Sequence, residues 1–384
     1  METHRRGSGG RAVFTAPFKQ HQVARLATWR WRLALLAVFV TAGCTHDALF
    51  VPGAYAPDVP PGVGALVQLT YNGGVDQDPS WLPDGSGFFY TAERLDRPDR
   101  DRCLALLPAA GGTIAREICN RVPAADDSVD AFNAAAVAPD GRLAYVRASA
   151  PLDGGWPIAP RFYELVVAPL ADPHRVSVLQ AFPHVGPSGR GHQGAAQLRW
   201  LGDSVLVYVG QRVAYVPPCP RCPRDTVPSG LELVRLDFGG PVPVLSMLTG
   251  SDQASSVTVT GRDTVFFTVN GDSRVFRLAL STDAIAVVHD FGTGGIARDV
   301  QVVGNTLLAV VGGDVSFTDD PTVGPLQRDR GGTVIAVDLT TGTETLVTPD
   351  TLLFRHLALA PNGTRLVAEL VSGATTDLWL VEVP

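Results

Sequence analysis

Six positions occupy one fixed place in an internal repeat of this chain, and five of them are polar: Asp78, Gln197, Ser256, Asp299 and His356, with Ala134 the exception. Each stands three residues before a recurring apolar or aromatic position: Trp81, Val137, Trp200, Val259, Val302 and Leu359. Asp76, Asp130, His192, Asp252 and Arg355 lie close by. Carboxylates with neutral oxygens suit Ca²⁺, and two carboxylates with an imidazole suit a transition metal. The plainer reading is a set of solvated side chains at loop ends. The sequence contains no Asp-x-Asp-x-Asp-Gly calcium loop, no His-Glu-x-x-His and no Gly-x-Ser-x-Gly. No catalytic residue and no metal ligand is therefore assigned, and no cofactor is expected beyond a Ca²⁺ ion that these oxygens could hold.

The cysteines offer other chemistry. Cys103 and Cys119 flank a hairpin pattern turning at Gly111-Gly112, which would set them opposite each other as a disulfide in an oxidising compartment. Cys219 and Cys222 form a Cys-x-x-Cys among prolines, with no helical pattern behind it and no second pair to complete a zinc site. A small disulfide pinning a loop is expected there. Gly186 to Gly191 is glycine-rich but lacks the lysine and the strand-to-helix setting of a phosphate loop.

What must position these residues is a repeat. An apolar run, a Pro-Asp-Gly-like turn and a β-branched or aromatic run appear together at 78–90, 136–146 and 359–367. The turns align as Gly85, Gly141, Ser204, Asp263, Asn305 and Gly363, with a mean step of about 56 residues. Each unit offers about four short strand-like runs, the cue for propeller blades, and no helical period is visible in this region. With 40 glycines and 30 prolines, composition agrees with a turn-rich all-β fold. The last unit ends one strand short, at Trp379–Val383, while an orphan strand, Ala65–Thr70, precedes the first. The expected fold is a six-bladed β-propeller in which the orphan strand completes the last blade and removes its open edge. Trp81 and Trp200 are expected to pack between blades, and the polar insertion Ser316 to Gly332 to be a solvated loop.

Arg30 and Arg32 precede an apolar stretch, Leu33 to Val40, and then Thr41-Ala42-Gly43-Cys44. This is the pattern of an export signal, too short to span a membrane as a helix. The Cys after Ala-Gly resembles a bacterial lipobox, with Thr41 where that motif usually has Leu. The resemblance implies lipidation at Cys44, a signal peptide over 1–43 and a Pro/Gly-rich tether over 44–64. Residues 1–43 hold seven of the 31 basic residues and one of the 38 acidic ones, so without them the net charge is −13. Lys19 is the only lysine. An acidic domain without lysine argues against nucleic acid and against a polybasic membrane surface.

Leu69-Thr70 followed by Asp78-Pro79-Ser80-Trp81-Leu82-Pro83-Asp84-Gly85 and Phe88-Phe89-Tyr90 resembles the repeat of the TolB-type propellers, a WD40-like family. Leu82 stands where that family often has Ser. The match is close in the first unit, fair in the second and last, and weak between. It implies a TolB-like propeller over 65–384, with the six aligned positions in a ring at the mouth of the central channel. Sister propellers in peptidases require a hydrolase domain, for which the sequence shows no nucleophile elbow. The functional expectation is a non-enzymatic, monomeric, lipid-anchored envelope protein that binds a protein, peptide or other ligand. In a cell with two membranes, Thr45 rather than Asp after the lipid Cys favours the outer membrane/periplasmic side. The alternative is a metal-dependent, lactonase-like hydrolase or lyase with Asp78, Asp299 and His356 at the channel mouth.

Overall fold

The computed structural model describes residues 65–383 apart from 72–73, 94–101, 120–127, 154–155, 158–161, 183, 186–189, 216–225, 249, 313–314, 321–323, 330 and 373–374. No helix occurs among the described residues. Six antiparallel four-stranded blades follow one another. Counted from the axis outward, blade 1 is Asp76–Trp81, Gly87–Glu93, Arg102–Pro108 and Arg116–Ile118. Blade 2 is Ser128–Val137, Arg142–Asp153, Phe162–Pro169 and Ser177–Ala181; blade 3 is Arg190–Trp200, Val205–Tyr215, Thr226–Asp237 and Val244–Met247. Blade 4 is Ala254–Thr260, Thr264–Val269, Arg274–Ala279 and Ala284–Asp290; blade 5 is Ala297–Val303, Thr306–Val311, Thr333–Asp338 and Glu344–Leu346. Blade 6 is Phe354–Leu359, Arg365–Ser372 and Thr375–Glu382, with Leu66–Gln68 as its outer strand.

That last pairing, Leu66 opposite Val381 and Gln68 opposite Trp379, closes the ring as expected. The core confirms closure independently, because six apolar clusters fill six seams. Phe89, Leu104 and Ile118 of blade 1 meet Phe132, Leu143 and Tyr145 of blade 2. At the closing seam Trp81, Phe88 and Tyr90 of blade 1 meet Ala358, Val367 and Leu378 of blade 6, with Leu69 beside them. Second strands therefore bury both faces: Phe88 and Tyr90 face one neighbour and Phe89 the other. A strand covered on both sides reads as a continuous apolar run, which is why Phe88-Phe89-Tyr90 and Thr264–Val269 lack alternation. Trp81 and Trp200 lie in seams, their indole N–H groups donating to Ala358 O (2.8 Å) and Ala136 O (3.0 Å).

The Pro-Asp-Gly turns join first to second strands. Gly85 N donates to Leu82 O at 2.9 Å with Gly85 at φ +70°, a left-handed conformation that glycine adopts without a Cβ clash. In an antiparallel meander these turns share one face with the third-to-fourth connections. The second-to-third and blade-to-blade connections gather on the opposite face. There the segment expected as a solvated loop pairs instead as a hairpin, Val315–Asp320 with Gly324–Asp329. Its Val-Ser-Phe-Thr alternation has the strand period, which outweighs its polar composition. The buried Arg298 holds both feet of this arm, donating through Nη2 to Gly312 O and to Gly331 O (2.9 Å for the latter).

Candidate functional site

The inner strands build the site through one repeated irregularity. Asp78, Ala134, Gln197, Asp299 and His356 all have φ between +48° and +53°. At each, the pairing with the second strand skips two residues, as between Gln77 and Ser80 or between Arg355 and Ala358. A left-handed non-glycine residue costs about 1–2 kcal/mol, so five in register mark a feature that the surrounding structure must stabilise. Blade 4 departs from this: its shift falls between Ala254 and Ser256, and Ser256 has ordinary backbone angles. These bulges come third in the inner strands of blades 1, 5 and 6 and late in the longer inner strands of blades 2 and 3. They line a cavity on the axis with Pro79, Leu198, Arg199, Gln301 and Leu357. Its volume of about 20 Å³ is on the order of one water position.

Three polar ring members accept from the next blade in this geometry. Gln197 Oε1 accepts from Val257 N of blade 4 at 3.0 Å, and Ser256 Oγ from Val300 N of blade 5 at 3.1 Å. Asp299 Oδ2 accepts from His356 N of blade 6 at 2.8 Å, while its Oδ1 accepts from Gln197 Nε2 at 2.8 Å. The belt is closed to blade 1 by Glu369, whose Oε1 accepts from Asp78 N at 2.7 Å. A bulge leaves backbone N–H groups outside the ladder, and a buried N–H without an acceptor is costly. Side chains of the preceding blade supply those acceptors. The solvated-channel expectation is thereby corrected for Gln197, Ser256 and Asp299: their polar atoms serve neighbouring backbone. The carboxylate of Asp78 is the exception, with His356 Nδ1 at 3.5 Å and no other partner among the described residues.

Charge concentrates at the closing seam. Glu369, with no side-chain exposure, also receives His356 Nδ1 on Oε1 at 2.6 Å and Arg355 Nε on Oε2 at 2.7 Å. Burial alone would raise the Glu369 carboxyl, but His356 and Arg355 outweigh it and hold it below the usual range. Burial alone would lower His356, but Glu369, Asp78 and Asp299 outweigh it and raise the imidazole to about 10. Asp78 is pushed up by burial first, aided by Glu369 and Asp299 and opposed by His356 and Arg355. Arg199 is lowered to about 10 by burial, against the pull of Asp299 and Asp78.

One oxygen each of Asp78 and Glu369 and one nitrogen of His356 lie within 4.8 Å of one another, close enough to share a cation. The donor set is otherwise occupied. A metal ligand must be deprotonated, whereas His356 is held protonated with Nδ1 against Glu369, and the same Glu369 oxygen accepts from Asp78 N. As built, this is a hydrogen-bonded ion pair that a metal would have to break.

Cys103 and Cys119 form a disulfide joining the third and fourth strands of blade 1. Cys44, Cys219 and Cys222 lie outside the described residues, as do residues 186–189 of the glycine-rich segment. Two residues important to the site were absent from the sequence expectation: Glu369, buried beside the cavity against His356 and Asp78, and Arg199, which lines it. A signal for the first exists. In the run Leu366-Val367-Ala368-Glu369, a carboxylate stands where register puts Thr91 in blade 1 and Thr268 in blade 4. Arg199 had no such signal, since an arginine beside Trp200 on a strand reads as a solvated side chain.

No protein-family model matches the chain, and no curated protein matches it. Solved structures do. XC5397 from Xanthomonas campestris, described as a gluconolactonase, is 13% identical over 87% of this chain and 100% of its own, with a TM-score of 0.50. TolB from Acinetobacter baumannii is 14% identical over 77% of this chain and 63% of its own, with a TM-score of 0.44. An oligogalacturonate lyase in complex with manganese is 13% identical over 86% and 96%, with a TM-score of 0.44. At such identities the likeness is one of fold alone.

Proposed function

We propose that this chain is a non-enzymatic propeller serving as a binding platform, with its partner on the face where the long connections gather. One observation carries the reading. Three of the five polar ring members, Gln197, Ser256 and Asp299, accept from the backbone of the next blade, and the axial cavity has room for about one water. A sugar-sized substrate does not fit such a cavity, whereas connections on rigid blades suit recognition without chemistry. Lipidation at Cys44, a cell-envelope location on the outer-membrane side, a monomeric state and a protein or peptide partner complete the proposal. The sequence signals given above support these parts.

The test is cross-linking in native membranes with a carboxylate-directed or photoactivated reagent, because Lys19 is the only lysine. Wild type is compared with a variant whose arm, residues 313–330, is replaced by a short glycine link. A defined partner captured by wild type and lost in an arm-less variant of unchanged melting temperature supports the platform. Retention of Cys44→Ala in the membrane fraction would remove the anchor from the proposal. The second reading, a metal-dependent hydrolase or lyase, is favoured by the proximity of Asp78, His356 and Glu369. Stoichiometric metal that survives dialysis, together with lactone or uronide turnover lost in Asp78→Ala, would replace the platform with this enzyme.

A further inference from the structure

Arg199 is the one cation of the cavity that the belt leaves uncommitted. Among the described residues its guanidinium makes a single hydrogen bond, Nη1 to Leu198 O at 2.9 Å, and no ion pair. Asp78 and Asp299 are near enough to act on it through space, which places the guanidinium at the axis rather than on the outer surface. Arg355, by contrast, is bound to Glu369. His356 also faces the cavity. Its Nδ1 is held by Glu369, and its second ring nitrogen has no hydrogen bond among the described residues, while the side chain is 28% exposed.

We propose that the channel mouth is a carboxylate-binding site, in which the Arg199 guanidinium and the outer ring N–H of His356 receive the oxygens of a carboxylate. That carboxylate belongs to a partner segment or to a free small acid; only the first source rests on the platform reading. A planar guanidinium fork matches a carboxylate in two-point geometry. The charge balance permits it: Asp78, Asp299 and Glu369 face Arg199, Arg355 and His356, so an entering anion does not meet a net negative site. Asp299 has both oxygens engaged, and burial pushes the Asp78 carboxyl above its ordinary range, against the pull of His356 and Arg355. The cavity volume selects a head group that replaces about one water, with the rest of the ligand outside it.

The test is an NMR titration of the full chain in detergent with ¹³C-labelled acetate, run beside chloride. Wild type should bind acetate with a dissociation constant of a few millimolar. Arg199→Met should weaken binding at least tenfold, about 1.4 kcal/mol. Arg199→Lys, which keeps charge but loses the fork, should fall between, and it serves alone if the Met variant does not fold. Equal acetate affinity in wild type and variant, no acetate binding below about 100 mM, or chloride binding as tightly as acetate would each overturn the site. Acetyl-Gly-Gly-Ala as free acid and as amide then separates the sources. A free-acid peptide binding at least as well as acetate, with its amide silent, identifies a partner segment. Acetate binding without the peptide identifies a free acid. Acetate binding that survives the absence of any cross-linked partner would retain this site while the platform reading fails.

Discussion

Glu369 is where a single change should do most damage. Glu369→Ala removes one acceptor from three donors, Asp78 N, His356 Nδ1 and Arg355 Nε, at 2.7, 2.6 and 2.7 Å. The site has no side-chain exposure and lies on the seam closed without a covalent link. Breaking a buried, hydrogen-bonded ion pair by deleting one partner costs about 3–5 kcal/mol. Against a typical total of about 5–15 kcal/mol, that is a large fraction. The melting temperature should fall on the order of 10 °C. Glu369→Gln keeps an acceptor for Asp78 N and removes only the charge, so it should cost less. Thr91→Val is the internal control: it stands at the matching strand position of blade 1, where Thr91 Oγ1 makes one long bond to Phe132 O at 3.4 Å. About 0.5–1 kcal/mol is expected there. Urea denaturation of the three variants, with Glu369→Gln/His356→Gln for coupling, gives the comparison. A Glu369→Ala cost no larger than that of Thr91→Val would refute the view that this carboxylate holds the closing seam.

Four other outcomes are expected. The raised His356 contributes stability that is complete below the ordinary imidazole value of about 6.5 and is lost as pH rises to about 10, with a slope up to about 1.4 kcal/mol per pH unit. Denaturation from pH 6 to 10 should show that slope in wild type and lack it in His356→Gln; parallel curves would contradict it. Asp377 has one oxygen on Gln68 Nε2 at 3.1 Å and one without a partner, and burial raises it to about 6. A raised carboxyl is a liability above that pH, so Asp377→Asn should stabilise the protein by about 1–3 kcal/mol at pH 7.5, with no gain at pH 3.5. Deleting residues 65–70 removes the outer strand of blade 6 and Leu66 and Leu69 from two seams, and should lower the melting temperature of the whole propeller in calorimetry. Replacing Cys103 and Cys119 by alanine opens a link of sequence separation 16 and should cost about 3 kcal/mol in denaturant titrations.

The ring was legible in sequence because its positions are set by chain geometry. The residue three before Trp81 or Leu359 is the one that the bulge turns to left-handed angles, so spacing alone located Asp78, Asp299 and His356. Blade 4 was aligned by the same count, yet Ser256 carries no bulge angle. Its hydroxyl still reaches the next blade, so the hydrogen bond persisted where the backbone irregularity moved. Residue type gave only part of the purpose. Asp and His suggested water, metal or ligand, but types alone did not show that Gln197, Ser256 and Asp299 also accept from N–H groups in the adjacent blade, a relation between segments about one repeat apart. Glu369 and Arg199 escaped because their meaning depends on which seam they enter, and local pattern does not encode that. The arm at 315–329 was misjudged by composition, although its alternation had the strand period.

The pairing of Leu66–Gln68 with Thr375–Glu382 joins groups as far as 309 residues apart in the chain, as between Gln68 and Asp377. Bringing such distant segments together costs about 2–3 kcal/mol more in chain entropy than closing the link across Cys103 and Cys119. It also orders events in time. The strand at Leu66–Gln68 waits for one made about 309 residues later, and until then blades 1 and 6 each present an open side. A ribosome that stops before Trp379 yields five blades and an unfinished sixth with exposed apolar seams, a form that proteases and chaperones recognise. The seam therefore acts as a check on synthesis, since the closed ring forms only from chains that have been translated through Glu382.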